Sequence, residues 1–83
     1  MFIHTYEHTD NVLDFDRVWH VAAFKQPTKW REVEEMENWC YKTFGPTEFN
    51  HLTYEQRWKN DIRFGEVSFK RKQDLEWFVL KWS

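Results

Sequence analysis

The chain has 83 residues, 20% of them aromatic, a formal net charge of −2 and a sequence pI near 6.1. At this length a single domain is expected, because there is no room for two hydrophobic cores. Abundant aromatic residues and only two Gly and two Pro argue against disorder. The mild acidity argues against a general polyanion binder, for which a domain pI above about 9 is typical.

Cysteine content and hydropathy exclude further classes of protein. The single cysteine, Cys40, excludes an internal disulfide framework and zinc sites built on two or four cysteines. No apolar run approaches the ~20 residues that span a bilayer. The first ten residues, MFIHTYEHTD, lack the basic start and apolar stretch of a signal peptide. We therefore expect a soluble intracellular protein that does not contact membranes.

The first predicted elements are two strands with an acidic loop between them. Residues 2–7 have strand character, with His4 and Tyr6 on one face. Residues 8–16 are polar and acidic, and we predict a loop there. Residues 17–25 are a nearly continuous apolar run of strand length, which favours a central strand buried on both faces over the alternative of a helix.

The clearest predicted element is a helix over residues 28–44. Thr28 is the expected N-cap, and Gly45 followed by Pro46 is a strong stop signal, since Gly accepts a left-handed conformation and Pro cannot continue a helix. Apolar residues recur at helical spacing and form a stripe that should face the core: Trp30, Val33, Met36, Cys40 and Phe44. Trp39 lies beside this stripe, either on the flank of the helix or exposed.

A hairpin and a second helix are predicted for the C-terminal part. Residues 53–59 and 62–70 read as paired strands, with a turn at Asn60–Asp61 and a bulge at Gly65. A short amphipathic helix is predicted from Asp74, with a last strand over residues 80–83 as an addition. The inward side chains of this part are expected to be Ile62, Phe64, Val67, Phe69, Leu75, Phe78, Val79 and Trp82.

These elements predict an α+β fold. The expected architecture is a small antiparallel sheet of about four strands, with one long and one short helix packed on one face.

A catalytic role is a minority hypothesis on this sequence. Cys40 lies on the apolar stripe and is expected to be a small buried hydrophobe rather than a nucleophile. The spacing of the acidic residues does not match a calcium loop. We therefore predict no cofactor and no metal ligands. A small metal-dependent enzyme remains the third hypothesis, built on His8, Asp10, Asp14 and Asp16.

Basic and aromatic residues alternate in the second half of the chain, which is typical of sheets that stack nucleic-acid bases. In the predicted register, however, the aromatic side chains point inward while the cations point to water. Nucleic-acid binding is therefore the second hypothesis. Its residues would be Arg57, Lys59, Arg63, Lys70, Arg71 and Lys72.

Acidic residues are concentrated on the predicted long helix, which has dipole complementation and solvation as its simplest explanation. Such a surface also suits docking to a basic partner. Trp19, Trp39 and Trp77 exceed what one small core is expected to absorb, and exposed Trp is a typical interface anchor. The expected partner-binding residues are Glu32, Glu34, Glu35, Trp39 and Trp77.

The second half also resembles small proteins of tailed bacteriophages, including cyanophages. The similarity lies in ENWCYKTFG (37–45), RW (57–58) and FGEVSFKRKQDLEWFVLKW (64–82). It implies a compact α+β domain of viral origin and no particular activity. Together with the separation of acidic and basic residues on the chain, this resemblance leads to our first hypothesis. In that hypothesis the chain is a non-enzymatic phage accessory protein that binds and modulates a host protein in the host cytoplasm. A homodimer is an alternative assembly, which would bury the surplus aromatic surface.

Overall fold

The computed structural model of the protein describes residues 3–12, 15–50, 52 and 55–83. Its strands and helices, in chain order, are β1 (Ile3–Val12), β2 (Phe15–Phe24), α1 (Trp30–Phe44), β3 (Trp58–Asp61), β4 (Glu66–Phe69) and α2 (Lys72–Trp82). The four strands form one antiparallel sheet in the order β1-β2-β4-β3. The predicted α+β class is confirmed.

The first two strands form a long hairpin rather than two strands with a loop between them. Each strand has ten residues, and Val12 lies opposite Phe15 at the tip. The predicted loop over residues 8–16 is therefore wrong for the part that the structure describes. Polar residues are tolerated there because most of the hairpin extends past β4 and meets water, while cross-strand partners such as Asp10 and Arg17 pair with each other. The prediction of β2 as a central strand is confirmed.

Helix α1 begins two residues later than predicted. Lys29 is in an extended conformation at the N-cap, no side chain caps the helix, and Thr28 lies in the preceding connection. Trp30 was predicted in the core but is 60% exposed, since it is the first helical residue, and the guanidinium of Arg63 lies 4.7 Å from its ring centre. The rest of the predicted stripe is confirmed as buried: Val33, Met36, Cys40 and Phe44.

The predicted end of α1 is confirmed. Its conformation is not the left-handed one that was expected: Gly45 has φ +84° and ψ −159°, which a residue with a Cβ adopts only under strain. Its N–H donates to the carbonyl of Tyr41. The indole N–H of Trp58 donates to the carbonyl of Gly45 at 2.8 Å, so the helix end is also tied to the sheet.

The second hairpin is confirmed, but its turn lies elsewhere. Strand β3 starts at Trp58 and continues through the predicted turn at Asn60–Asp61. The chain reverses in a single 3₁₀ turn, Ile62–Phe64, which Gly65 closes in a left-handed conformation rather than forming a bulge. Phe64, predicted to point inward, is 76% exposed because it belongs to this turn and not to a strand. Residues 53 and 54 of the predicted strand lie outside the described residues.

Helix α2 is longer than predicted and takes the place of the suggested final strand. It begins at Lys72 and continues to Trp82. Leu75 and Phe78 are buried, and Val79 and Trp82 are half-buried against the core, as their spacing predicts.

One core lies between the helices and the sheet. Phe78 is at its centre, with its ring 5.6 Å from Phe69 and 6.1 Å from Phe24. Cross-strand neighbours share a face, so Ala22, Val67 and Phe69 all point to the helices. The core comprises Ala22, Val33, Met36, Cys40, Phe44, Trp58, Ile62, Val67, Phe69, Leu75 and Phe78.

The opposite face of the sheet is also partly covered. Trp19 and Val21 lie on this second face and are buried. Phe49, from the connection between α1 and β3, approaches it, with the Arg17 guanidinium 5.8 Å from its ring centre. Trp19, which we counted as surplus to the core, is thus accommodated on the second face.

Candidate functional site

An open cleft of about 820 Å³ lies where β2 leads into α1. Its volume is within the range typical of binding sites for ligands and short peptide segments. The end of β2, the connection into α1, the first turns of α1 and the last turn of α2 all contribute to its walls. The lining residues are Ala23, Phe24, Lys25, Gln26, Pro27, Thr28, Glu32, Glu35, Met36 and Trp82.

The wall formed by residues 24–26 is positioned by Gly65. The backbone N–H of Phe24 donates to the carbonyl of Gly65 at 2.8 Å. A Cβ at Gly65 would lie only 2.4 Å from the carbonyl oxygen of Phe24 and 3.3 Å from the nitrogen of Gln26. Glycine therefore permits the turn before β4 to approach this connection closely, and the cleft wall follows from that approach.

Trp82 closes the cleft from the side of α2. Its ring meets Trp39 edge-on at 6.1 Å, and the Lys81 ammonium lies 5.4 Å from its ring centre. The indole Nε1 is shielded from solvent and has no hydrogen-bond partner among the described residues. A buried donor without a partner is costly, but the same shielding keeps this N–H out of reach of an acceptor that enters the cleft.

Two carboxylates stand on the other wall. Glu32 and Glu35 are one helical turn apart on α1, beside the buried thioether of Met36. Lys25 is the cation of the lining. The cleft thus combines an apolar floor with an excess of negative charge.

The structure separates the other predicted partner-binding residues from this cleft. Trp39 is half-buried and packs against the core, and its ring centre lies 5.4 Å from that of Phe44 and 6.3 Å from that of Phe78. Glu34 is exposed on α1 outside the cleft lining. Trp77 is 52% exposed on the outer side of α2. Of the five predicted residues, Glu32 and Glu35 are the pair that the cleft brings together.

A second cluster lies on the second face, around Trp19. Asp10 accepts from Arg17 Nε at 3.1 Å, from the Trp19 indole at 3.0 Å and from Lys59 Nζ at 3.2 Å. Burial alone would raise the pKa of Asp10, but these hydrogen bonds from Arg17 and Lys59 hold it below its ordinary value. Lys70 lies 5.9 Å from the Trp19 ring centre.

Aromatic side chains of β1 lie on the same face. His4 and Tyr6 stack with ring centres 6.0 Å apart, and both are exposed. The Tyr6 hydroxyl donates to Glu66, and this hydrogen bond raises the pKa of Tyr6. His8 lies directly opposite Trp19.

The six basic residues predicted for nucleic-acid binding do not form one surface. Arg57 pairs with Asp74 at 3.0 Å at the start of α2, and Arg63 covers Trp30. Arg71 and Lys72 are exposed at the beginning of α2. Lys59 and Lys70 are brought together at Trp19.

The acidic segment does not gather its predicted metal ligands. Asp14 lies outside the described residues. His8 and Asp10 share the second face, whereas Asp16 is on the opposite face and accepts from Asn11 at 3.0 Å. Across the residues that the structure describes, no group of three or more His, Cys, Asp or Glu is placed to hold a metal ion.

Cys40 is buried within the core. Burial, with a smaller contribution from Glu37, raises the pKa of its thiol to about 12. Since the thiolate is the nucleophilic form, Cys40 behaves as the small hydrophobe that its position on the stripe predicts.

Two functional candidates escaped the sequence analysis. Trp82 was assigned to the core from its spacing, and no sequence signal marks an indole N–H that lacks a partner. Arg17 was treated as the start of an apolar strand. Had the hairpin been recognised, its pairing with Asp10 would have followed from the register.

Among the described residues, no helix is both long and apolar enough to cross a membrane. No protein-family model matches the chain, and comparisons with the curated proteins and with the solved structures find no significant match.

Proposed function

We propose that this chain is a non-enzymatic binding protein, of the bacteriophage accessory kind that its second half resembles. In this proposal it acts in the host cytoplasm, where its cleft receives a short basic and apolar segment of a host protein. The observation that carries the proposal is the presence of two carboxylates, Glu32 and Glu35, on the wall of one apolar cleft.

Each part of the cleft selects a feature of the partner. An aliphatic side chain would displace water from Phe24 and Pro27, and burial of apolar surface supplies most of the affinity. A Lys or Arg nearby would pair with Glu32 and Glu35.

Charge reversal tests this proposal. We would immobilise the wild-type protein, the double variant Glu32→Lys/Glu35→Lys and a control, Glu48→Lys/Glu76→Lys, in lysate of the bacterial host. Both doubles change the net charge equally, but Glu48 and Glu76 lie outside the cleft lining. We expect a stoichiometric partner that is retained by the wild type and the control and lost from the cleft variant.

Two results would contradict the proposal. One is the absence of any stoichiometric partner; the other is equal retention by all three proteins. Size exclusion with light scattering on the same samples would also give the oligomeric state, and so distinguish a monomer from the alternative of a homodimer. Surface for such contacts is provided by the exposed side chains of Trp30, Phe64, Trp77 and Leu80.

A further inference from the structure

Three cations converge on one buried aromatic ring of the second face. Lys59 Nζ lies 4.4 Å from the Trp19 ring centre, the Arg17 guanidinium 5.0 Å and Lys70 Nζ 5.9 Å. They come from three places in the sheet: β3, β2 and the residue that follows β4. Trp19 is fully buried, so these charges are held over a low-dielectric floor, where their field is stronger than in water.

Asp10 does not balance this charge. It pairs with Arg17 and with Lys59, and no other carboxylate of the described residues forms an ion pair with any of the three cations. Three positive groups therefore face one negative group. The Arg17–Asp10 pair would suffice to position Trp19, whereas Lys59 and Lys70 add like charges that repel each other.

We propose that Arg17, Lys59 and Lys70 form a binding site for the phosphate group of a single-stranded nucleic acid or a nucleotide. A phosphate oxyanion would relieve the excess charge and accept from the three cations. The exposed His4–Tyr6 stack on the same face favours a phosphate that carries a base, since bases stack on such rings. This site is separate from the proposed peptide cleft.

A matched pair of double variants tests the site. Lys59→Gln/Lys70→Gln removes two of the cations over Trp19, while Arg63→Gln/Lys72→Gln removes the same charge elsewhere. Fluorescence anisotropy with a labelled single-stranded oligonucleotide at low salt measures binding. We expect about a tenfold or greater loss for the first double and less than about a threefold loss for the second. The salt dependence should also become shallower in the first.

The single variant Lys70→Gln guards against a folding defect, because Lys70 is exposed and does not contact Asp10. It should retain the wild-type melting temperature and lose about threefold or more in affinity. Competition by inorganic phosphate or a nucleoside monophosphate at low millimolar concentration would identify a free phosphate ligand; its absence would identify the nucleic-acid backbone. Absence of binding by oligonucleotide, nucleotide and phosphate at low salt, or equal losses in the two doubles, would overturn the proposal.

Discussion

At the scale of single residues, Asp10 links the two edge strands of the sheet, β1 and β3. Its carboxylate receives hydrogen bonds from β2 through Arg17 and Trp19 and from β3 through Lys59. Replacing it in Asp10→Asn removes the negative charge and leaves the cations facing one another. We expect the free energy of unfolding to fall by about 1–2 kcal/mol, since hydrogen bonds to charged groups are worth roughly that much.

The stability that Asp10 contributes should depend on pH. The pKa of Asp10 is lowered in the folded protein, so its contribution is complete above the unfolded-state pKa of about 3.9 and is lost as pH falls through the folded value. Urea unfolding should therefore show a constant gap between wild type and Asp10→Asn from pH 5 to pH 8. The gap should shrink below about pH 4, and a gap undiminished at pH 3 would contradict this account. Asp16→Asn, at an exposed carboxylate of the same hairpin, is the control and should cost only a few tenths of a kcal/mol.

Residue spacing predicted burial well where a side chain lies inside an element and poorly at element ends. Val33, Met36 and Cys40 are buried as their period requires. Trp30 and Phe64 carry the same apolar signal but are exposed, because one opens a helix and the other lies in a turn. A hydrophobic residue indicates a core position only once the bounds of its element are known.

At the scale of elements, the two glycines both have a positive φ but differ in ψ and in surroundings. Gly45 has ψ −159°, and a Cβ there would meet nothing within 4 Å; Gly65 has ψ 26°, and a Cβ there would overlap the carbonyl oxygen of Phe24. We expect Gly45→Ala to cost about 1–3 kcal/mol of unfolding free energy from backbone strain alone. Left-handed strain at Gly65 costs only about 1–2 kcal/mol, and Gly65→Ala should cost clearly more than this, because either the turn or the connection beside the cleft must move.

Chemical denaturation of both variants measures this difference. Gly45→Ala serves as the control for a strained backbone position with open space around it. A loss of no more than about 1–2 kcal/mol in Gly65→Ala, the cost of left-handed strain alone, would show that the close approach to Phe24 contributes nothing. A partner captured by the wild type should also bind Gly65→Ala more weakly than Gly45→Ala, because the displaced connection forms one wall of the cleft.

The elements differ in how far sequence alone determined them. Helix α1 was predicted to within two residues because its stripe and its Gly-Pro end are local signals. The β1–β2 hairpin was missed because polar and acidic residues were interpreted as a loop, whereas the structure pairs them across two strands, as it does Asp10 with Arg17. The cleft was not predicted: of its lining, only Glu32 and Glu35 were named as partner-binding residues, and its other walls come from parts of the chain that are far apart in sequence.

At the scale of the whole molecule, the two helices and the sheet share one set of aromatic contacts. Phe78 on α2 meets Phe69 on β4, Phe24 at the end of β2 and Trp39 on α1. A domain of this size is stabilised by only about 5–15 kcal/mol. Because the helices and the sheet share this core, loss of the Phe78 ring should lower the stability of both together.

Phe78→Ala should therefore lower the free energy of unfolding by about 3–5 kcal/mol, through lost burial and the cavity left behind. Far-UV circular dichroism, which follows the secondary structure, and tryptophan fluorescence, which follows the packing around tryptophans of both helices and of the sheet, should report the same lower urea midpoint. Trp77→Ala is the matched control, since it is the preceding residue of the same helix but is half-exposed, and it should cost less than about 1 kcal/mol. Different midpoints for the two signals in Phe78→Ala would mean that unfolding is no longer a single cooperative transition. In that case part of the fold would keep its structure without the core that the helices and the sheet share.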